Sequence, residues 1–326
     1  MLDFFGTIGG AIMTPLYYAV SFVLVGFHSL FSTFLDPASG AAWILSIVGL
    51  TLTIRAALIP LFVKQIKSSR NMQLIQPKVR ELQKKYGHDR ERLAQETMKL
   101  YKDSGTNPFA SCLPILLQMP IFLALFRMLD QASKKGKAHG FLDETLARQF
   151  GDSKLFDTIP VSGTFLDSGG VVGVMVLAAL LVLAMTATTF LTQRQLMSKN
   201  MPADALSGPY AQQQKLLLYV LPVVFAVGGI AFPIGVLVYW TVSNLWTMAQ
   251  QFYVIRNNPA PGTPAADAKE QRDRAKAERK GVKTPAQLEE ERLAAEAEAR
   301  REEKSQTRVQ PQRQTKAQRT NKKKKR

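Results

Sequence analysis

The chain has 326 residues, a net charge of +17 and a mean hydropathy near zero (−0.03), because a very apolar body is joined to a very polar tail. One cysteine, Cys112, excludes an internal disulfide framework, and His28, His88 and His139 are too scattered for a metal site, so neither metal nor cofactor is expected. No Gly-rich phosphate loop or nucleophile elbow occurs, so nothing supports an ATPase or a hydrolase and no catalytic residue is assigned.

Residues 1–33 are apolar, with Asp3 the only charge near the start, which is not the basic leader of a signal peptide. The segment either spans the membrane or lies along its interface; Tyr17, Tyr18, Phe22, Phe27 and His28 suit the interface, so an interfacial helix is the favoured reading. The first span is expected over 41–63 and includes "LTLTIRAALIPLFVK" (Leu50–Lys64). Arg55 stands inside it, and no Lys or Arg precedes it in the chain. Residues 64–107 carry about eleven Lys and Arg. There "QPKVRELQKKY" and "RERLAQETMKLYKDSG" show helical periodicity and are parted by "GHD", which predicts a two-helix hairpin whose first helix starts near Pro77.

Further spans are expected over 109–129, 171–191, 216–230 and 231–252, the last two joined through "GGIAFPIG". Residues 132–170 balance acids and bases and read as the outer loop. With the basic loops inside, the span at 41–63 begins outside and the C-terminus is cytosolic. The tail, 257–326, opens with "NNPAPGTPAAD", closes with "NKKKKR" and holds 20 of the 42 basic residues. Its low apolar content predicts disorder, with "EEERLAAEAEARREEK" as a transient helix. Its charge suits anionic lipid or RNA, or simple solubility. The fold expected is an all-α polytopic membrane protein: a core over 41–256, an N-terminal interfacial helix and a disordered basic tail.

Two readings fit Arg55. It snorkels to the cytosolic interface, or it faces a wet cavity. Thr51 lies one turn before it on the same face. Gln118 sits between Pro114 and Pro120, Met185, Thr189 and Gln193 recur every four residues, and Trp240, Ser243, Asn244, Thr247 and Gln251 form one stripe. Such stripes serve interhelical hydrogen bonds or line water. No acidic residue lies in the cytosolic half of any span, and a cation without a counter-ion favours a hydrated groove open to the cytosol.

The stretches "MQLIQPKVRELQKKYGHDRERLAQETMKLYKDSGTNPFASCLPILLQMPIFLALFRML", "TIRAALIPLFVKQIKSS" and "FPIGVLVYWTVSNLWTMAQQ" closely resemble the YidC family of membrane protein insertases. The resemblance covers about Ala41–Asn257. It implies a five-span core, a cytosolic hairpin and a groove closed on the outside, in a multi-pass protein of the bacterial plasma membrane. Larger relatives carry an extra N-terminal span and a large outer domain that have no counterpart here, so a short form of actinobacterial or Gram-positive type is expected. No early cysteine is present for lipidation. The resemblance assigns Arg55 and Thr51 to the groove and Phe122 and Trp240 to substrate contact. Gln118 and Met185 lie in matching segments, and Gln193 and Asn244 join them from the polar stripes. The implied partners are nascent membrane proteins, the ribosome (through tail and hairpin), the Sec translocon and anionic lipids. A small anion transporter or channel using the buried arginine is the alternative.

Overall fold

The computed structural model describes residues 2–105, 113–201, 209–283 and 285–306. Long apolar runs give long helices: α1 Leu2–Phe31, α2 Gly40–Ala57, α5 Leu113–Lys135, α7 Val172–Asn200, α8 Pro209–Gly229 and α9 Ile234–Asn257. Between them lie α3 Ile59–Tyr86, α4 Arg90–Asp103, α6 Glu144–Asp152 and the strands β1 Lys154–Leu155 and β2 Ile159–Pro160. After them come α10 Pro264–Lys280 and α11 Pro285–Gln306. The chain divides into two units, Met1–Asp267 and Ala268–Arg326.

Polar residues mark the helix starts. Ser39, Asp89 and Asp143 each have an extended backbone and cap α2, α4 and α6, accepting from the N–H of Ala42, Arg92 and Leu146. Such a cap satisfies one of the donors a first turn leaves unpaired. The first expected span is broken: α2 stops at Ala57, and Pro60 falls in the first turn of α3, where its missing N–H does no harm. The helical hairpin is present as α3 and α4, but its first helix does not start near Pro77. α3 runs unbroken from Ile59 through Pro77 to Tyr86, about 42 Å at the helical rise.

By length and composition, three described helices can cross a membrane: Met13–Phe31, Gly40–Ala57 and Val172–Asn200. Leu218–Gly229 is apolar but shorter. α5 and α9 carry the polar residues noted above, which dilute their apolar character. The interfacial expectation for the first segment thus meets a helix of crossing length.

One end of the bundle is closed by a layer built from residues 136–171. Phe150, Leu142 and Val161 are fully buried there and pack with Trp43, Ile47, Val174 and Ile234 in one core. The layer also satisfies the start of α9: Ile234 N–H donates to the Gly163 carbonyl at 3.0 Å, and Gly235 N–H to Val161 at 3.1 Å. A Cβ on Gly40 would stand 2.6 Å from the backbone of Lys154 and Leu155, so only glycine allows β1 to lie so close to α2. The two-stranded hairpin is an addition to the all-α expectation. It turns through Phe156 and Asp157, both at positive φ.

α1 packs on this layer through several residues. Tyr17 meets His139 at 4.6 Å between ring centroids, and Ser21 Oγ accepts from Phe141 N–H at 2.8 Å. Further along, His28 stacks on Trp43 at 3.8 Å, and Trp43 in turn meets Phe150.

The tail corrects the expectation of disorder over 264–306, where α10 and α11 form. Ala, Glu, Arg and Lys are strong helix formers, and pairs one turn apart add to that: Glu270–Arg274 at 2.5 Å, Lys269–Asp273 at 3.7 Å and Arg292–Glu296 at 3.6 Å. "NKKKKR" lies outside the described residues.

Candidate functional site

Arg55 occupies the last turn of α2, where the carbonyl end of the helix favours a cation. It is 9% exposed. Its Nε donates to Ser243 Oγ on α9 at 3.0 Å, and Nη2 donates to the same oxygen. One turn before Ser243 on the same face stands Tyr239, also buried. Gln118 Nε2 on α5 donates to the Tyr239 hydroxyl, which also interacts with Ser243. A polar chain therefore ties α2, α9 and α5 together around the guanidinium. Neither α2 nor α9 contains an Asp or Glu, and no described residue forms an ion pair with Arg55.

Beside this chain stands an aromatic wall. Trp240 lies 4.9 Å from Phe122, 4.9 Å from Phe225 and 5.5 Å from Phe232 between ring centroids, within the range of favourable ring contacts. Trp240 and Phe122 remain half-buried.

The other expected residues fall elsewhere. Thr51 is buried, but its hydroxyl donates to the Ile47 carbonyl of its own helix at 2.6 Å, so the hydrogen bonds of Arg55 go to Ser243 instead. Met185 is fully buried on α7. Its carbonyl accepts from Asn244 Nδ2 at 3.4 Å, and the same amide reaches Thr189 Oγ1 at 3.0 Å. Asn244 and Met185 thus form an α7–α9 clip. Gln193 lies half-buried two turns beyond Met185 on α7. A separate apolar recess of about 460 Å³ opens between α3 and α9, lined by Ile59, Val63, Ile66, Trp246, Tyr253 and their neighbours.

Sequence reasoning placed Ser243 on the polar stripe but gave it no role, and did not single out Tyr239. The spacing of four between them puts the two hydroxyls on one face of α9.

These side chains offer charge attraction, hydrogen bonding and apolar contact. A guanidinium of low exposure, held by a neutral hydroxyl, attracts an anion 4 Å away by about 4 kcal/mol at an effective dielectric of 20, against about 1 kcal/mol in water. The aromatic wall offers apolar contact to whatever carries that anion.

A model of the 60Kd inner membrane protein family matches residues 34–261. The membrane protein insertase YidC of Streptomyces avermitilis is 48% identical over 257 residues, which are 76% of this chain and 59% of that protein. The YidC insertase of Tropheryma whipplei (strain Twist) is 40% identical over 276 residues, covering 80% of this chain and 89% of the relative. A crystal structure of an active YidC insertase with its first transmembrane domain resolved aligns at 21% identity with a TM-score of 0.46, over 73% of this chain and 46% of that one. The matched residues take in Arg55, the aromatic wall and the sealing layer alike, and on these sequence matches the chain belongs to the YidC family of membrane protein insertases.

Proposed function

We propose that this protein moves nascent membrane-protein segments from the cytosol into the bilayer and aids their folding, without covalent chemistry, alone or beside a translocon. The observation that carries the reading is Arg55, a low-exposure cation paired with a neutral hydroxyl and set beside the Phe122–Trp240 wall. A short acidic or polar flank of the substrate enters a hydrated groove toward Arg55, while the apolar segment slides along the wall. Release into lipid follows from burial of the substrate's apolar area, worth about 25 cal/mol per Å².

In this reading α2, α5, α7, α8 and α9 are the five spans. The basic α3–α4 hairpin and the tail are cytosolic and meet the ribosome, the Sec translocon and anionic lipid. The layer over 136–171 closes the outer end, and α1 lies along it. The contacts of α1 with that layer, Tyr17 on His139 and Ser21 on Phe141, support an interfacial position.

The test is insertion of a single-span substrate with an acidic leading flank into vesicles carrying the purified protein. Arg55→Ala is expected to lower insertion about tenfold, the scale of 1.4 kcal/mol of lost attraction. Arg55→Lys is expected to keep part of the activity. Insertion unchanged by Arg55→Ala would remove the basis for a charged groove.

A further inference from the structure

Hydroxyls inside these helices mostly satisfy themselves. Ser46, Thr51, Thr53, Thr192 and Thr247 each donate to the carbonyl one turn back on their own helix. Ser243 is used differently. Its oxygen accepts two N–H groups from a residue 188 positions away, on another helix. The two donors, Nε and Nη2, form one edge of the guanidinium, an edge on which a carboxylate can bind through two parallel hydrogen bonds.

The position of Arg55 explains why a restraint matters. It lies in the last turn of α2, and a long basic side chain so close to a helix end tends to swing its head toward water. Thr51 does not hold it, since its hydroxyl is turned to Ile47. No carboxylate on α2 or α9 holds it either.

We propose that Ser243 is the positioning residue for Arg55. It anchors the Nε–Nη2 edge to α9 and leaves the Nη1 side as the face that receives a substrate carboxylate. Resting on the insertase reading above, this assigns Ser243 a part in substrate selectivity. A neutral anchor fixes the cation without neutralising it. It also takes up one of the two edges on which the guanidinium could grip a carboxylate, so the acidic flank is held by the Nη1 end alone and can leave.

The experiment uses the full chain in vesicles with two single-span substrates that differ only in the leading flank, one with aspartates and one with asparagines. Ser243→Ala is expected to lower insertion of the acidic substrate about tenfold, the scale of one hydrogen bond to a charged group, with a much smaller effect on the neutral one. Ser243→Thr, which keeps the hydroxyl, is expected to restore most of it. Ser243→Asp places a carboxylate on the anchored edge and is expected to abolish the preference for the acidic flank, as Arg55→Ala does. The proposal is overturned if Ser243→Ala leaves acidic-flank insertion intact, if it depresses both substrates equally, or if Ser243→Thr fails to rescue. Arg55→Ala, run alongside, separates the two ideas. Loss there with an inert Ser243→Ala removes only the anchor, whereas no loss at Arg55 removes the groove reading itself.

Discussion

Asn244 fastens α9 to α7 with one amide, shared between Thr189 Oγ1 and the Met185 carbonyl. Side-chain hydrogen bonds between membrane helices average only about 0.6 kcal/mol, because the unfolded helices also find partners in lipid. Asn244→Leu should therefore destabilise by about 1 kcal/mol or less, read from unfolding in mixed micelles. Trp240→Ala removes contacts with three rings and should cost several times more by the same measurement. If the two variants proved equally damaging, the clip would be stronger than membrane hydrogen bonds generally are. The same residues show what can be read from sequence at this scale. Arg55 is visible because a guanidinium in an apolar run demands a reason, and Gln118 and Asn244 because amides do. The position of Ser243 on the stripe is visible but its role is not, because serine and threonine are ordinary in such helices and many bond their own backbone. Nothing in the periodicity reveals which hydroxyl will reach across to a partner 188 residues away.

Among the elements, the 136–142 loop carries a titratable lock. His139 packs against Tyr17, its Nε2 lies 2.7 Å from Gln131 Oε1, and Lys137 stands nearby. Burial first, and then the charge of Lys137, push its pKa below the ordinary 6.5. The folded loop thus prefers the neutral ring, while the unfolded chain takes up a proton near pH 6.5. The contribution to stability is whole above that pH and is lost as pH falls through the lowered folded value. Amide exchange across 136–142, corrected for its intrinsic rate, should rise as pH falls below about 6.5, and His139→Gln should remove that dependence. A flat profile in the unmutated protein would contradict the lock. The long helices followed from apolar length, and the hairpin from the "GHD" break. Other boundaries did not. Pro60 ends a span for one helix while fitting the first turn of the next, and Pro77 is tolerated inside α3. β1 and β2 have two residues each, too few to show a period. In the tail, a disorder argument based on charge gave way to helix propensity and pairs one turn apart.

For the whole molecule the decisive property is how unevenly charge is spread. The first 54 residues hold no Lys or Arg, while half of the 42 basic residues follow Val254. A chain truncated at Asp267 loses the second unit entirely and should co-sediment with ribosomes less well at low salt, with a shallower salt dependence, since contact with RNA phosphate releases counterions. Equal binding with and without that unit would leave the tail as a solubility device. The sealed end of the bundle has an electrical consequence. On the insertase reading proposed above, a water-filled groove would take the potential of the compartment it opens to, so the membrane voltage would not fall evenly across the protein. It would fall across the buried plug of Trp43, Phe150, Leu142, Val161 and Ile234. Each charge crossing gains or loses about 2.3 kcal/mol per 100 mV, and that work would be concentrated over a short path beyond Arg55. An inside-negative voltage would then drive an acidic flank outward through a steepened field, with the plug as the thin dielectric of a capacitor. Gly235, where a Cβ would stand 3.2 Å from Ile47 and 3.3 Å from Val161, is the place to puncture it. Gly235→Leu should raise ion leakage of the vesicles and weaken the voltage dependence of insertion together.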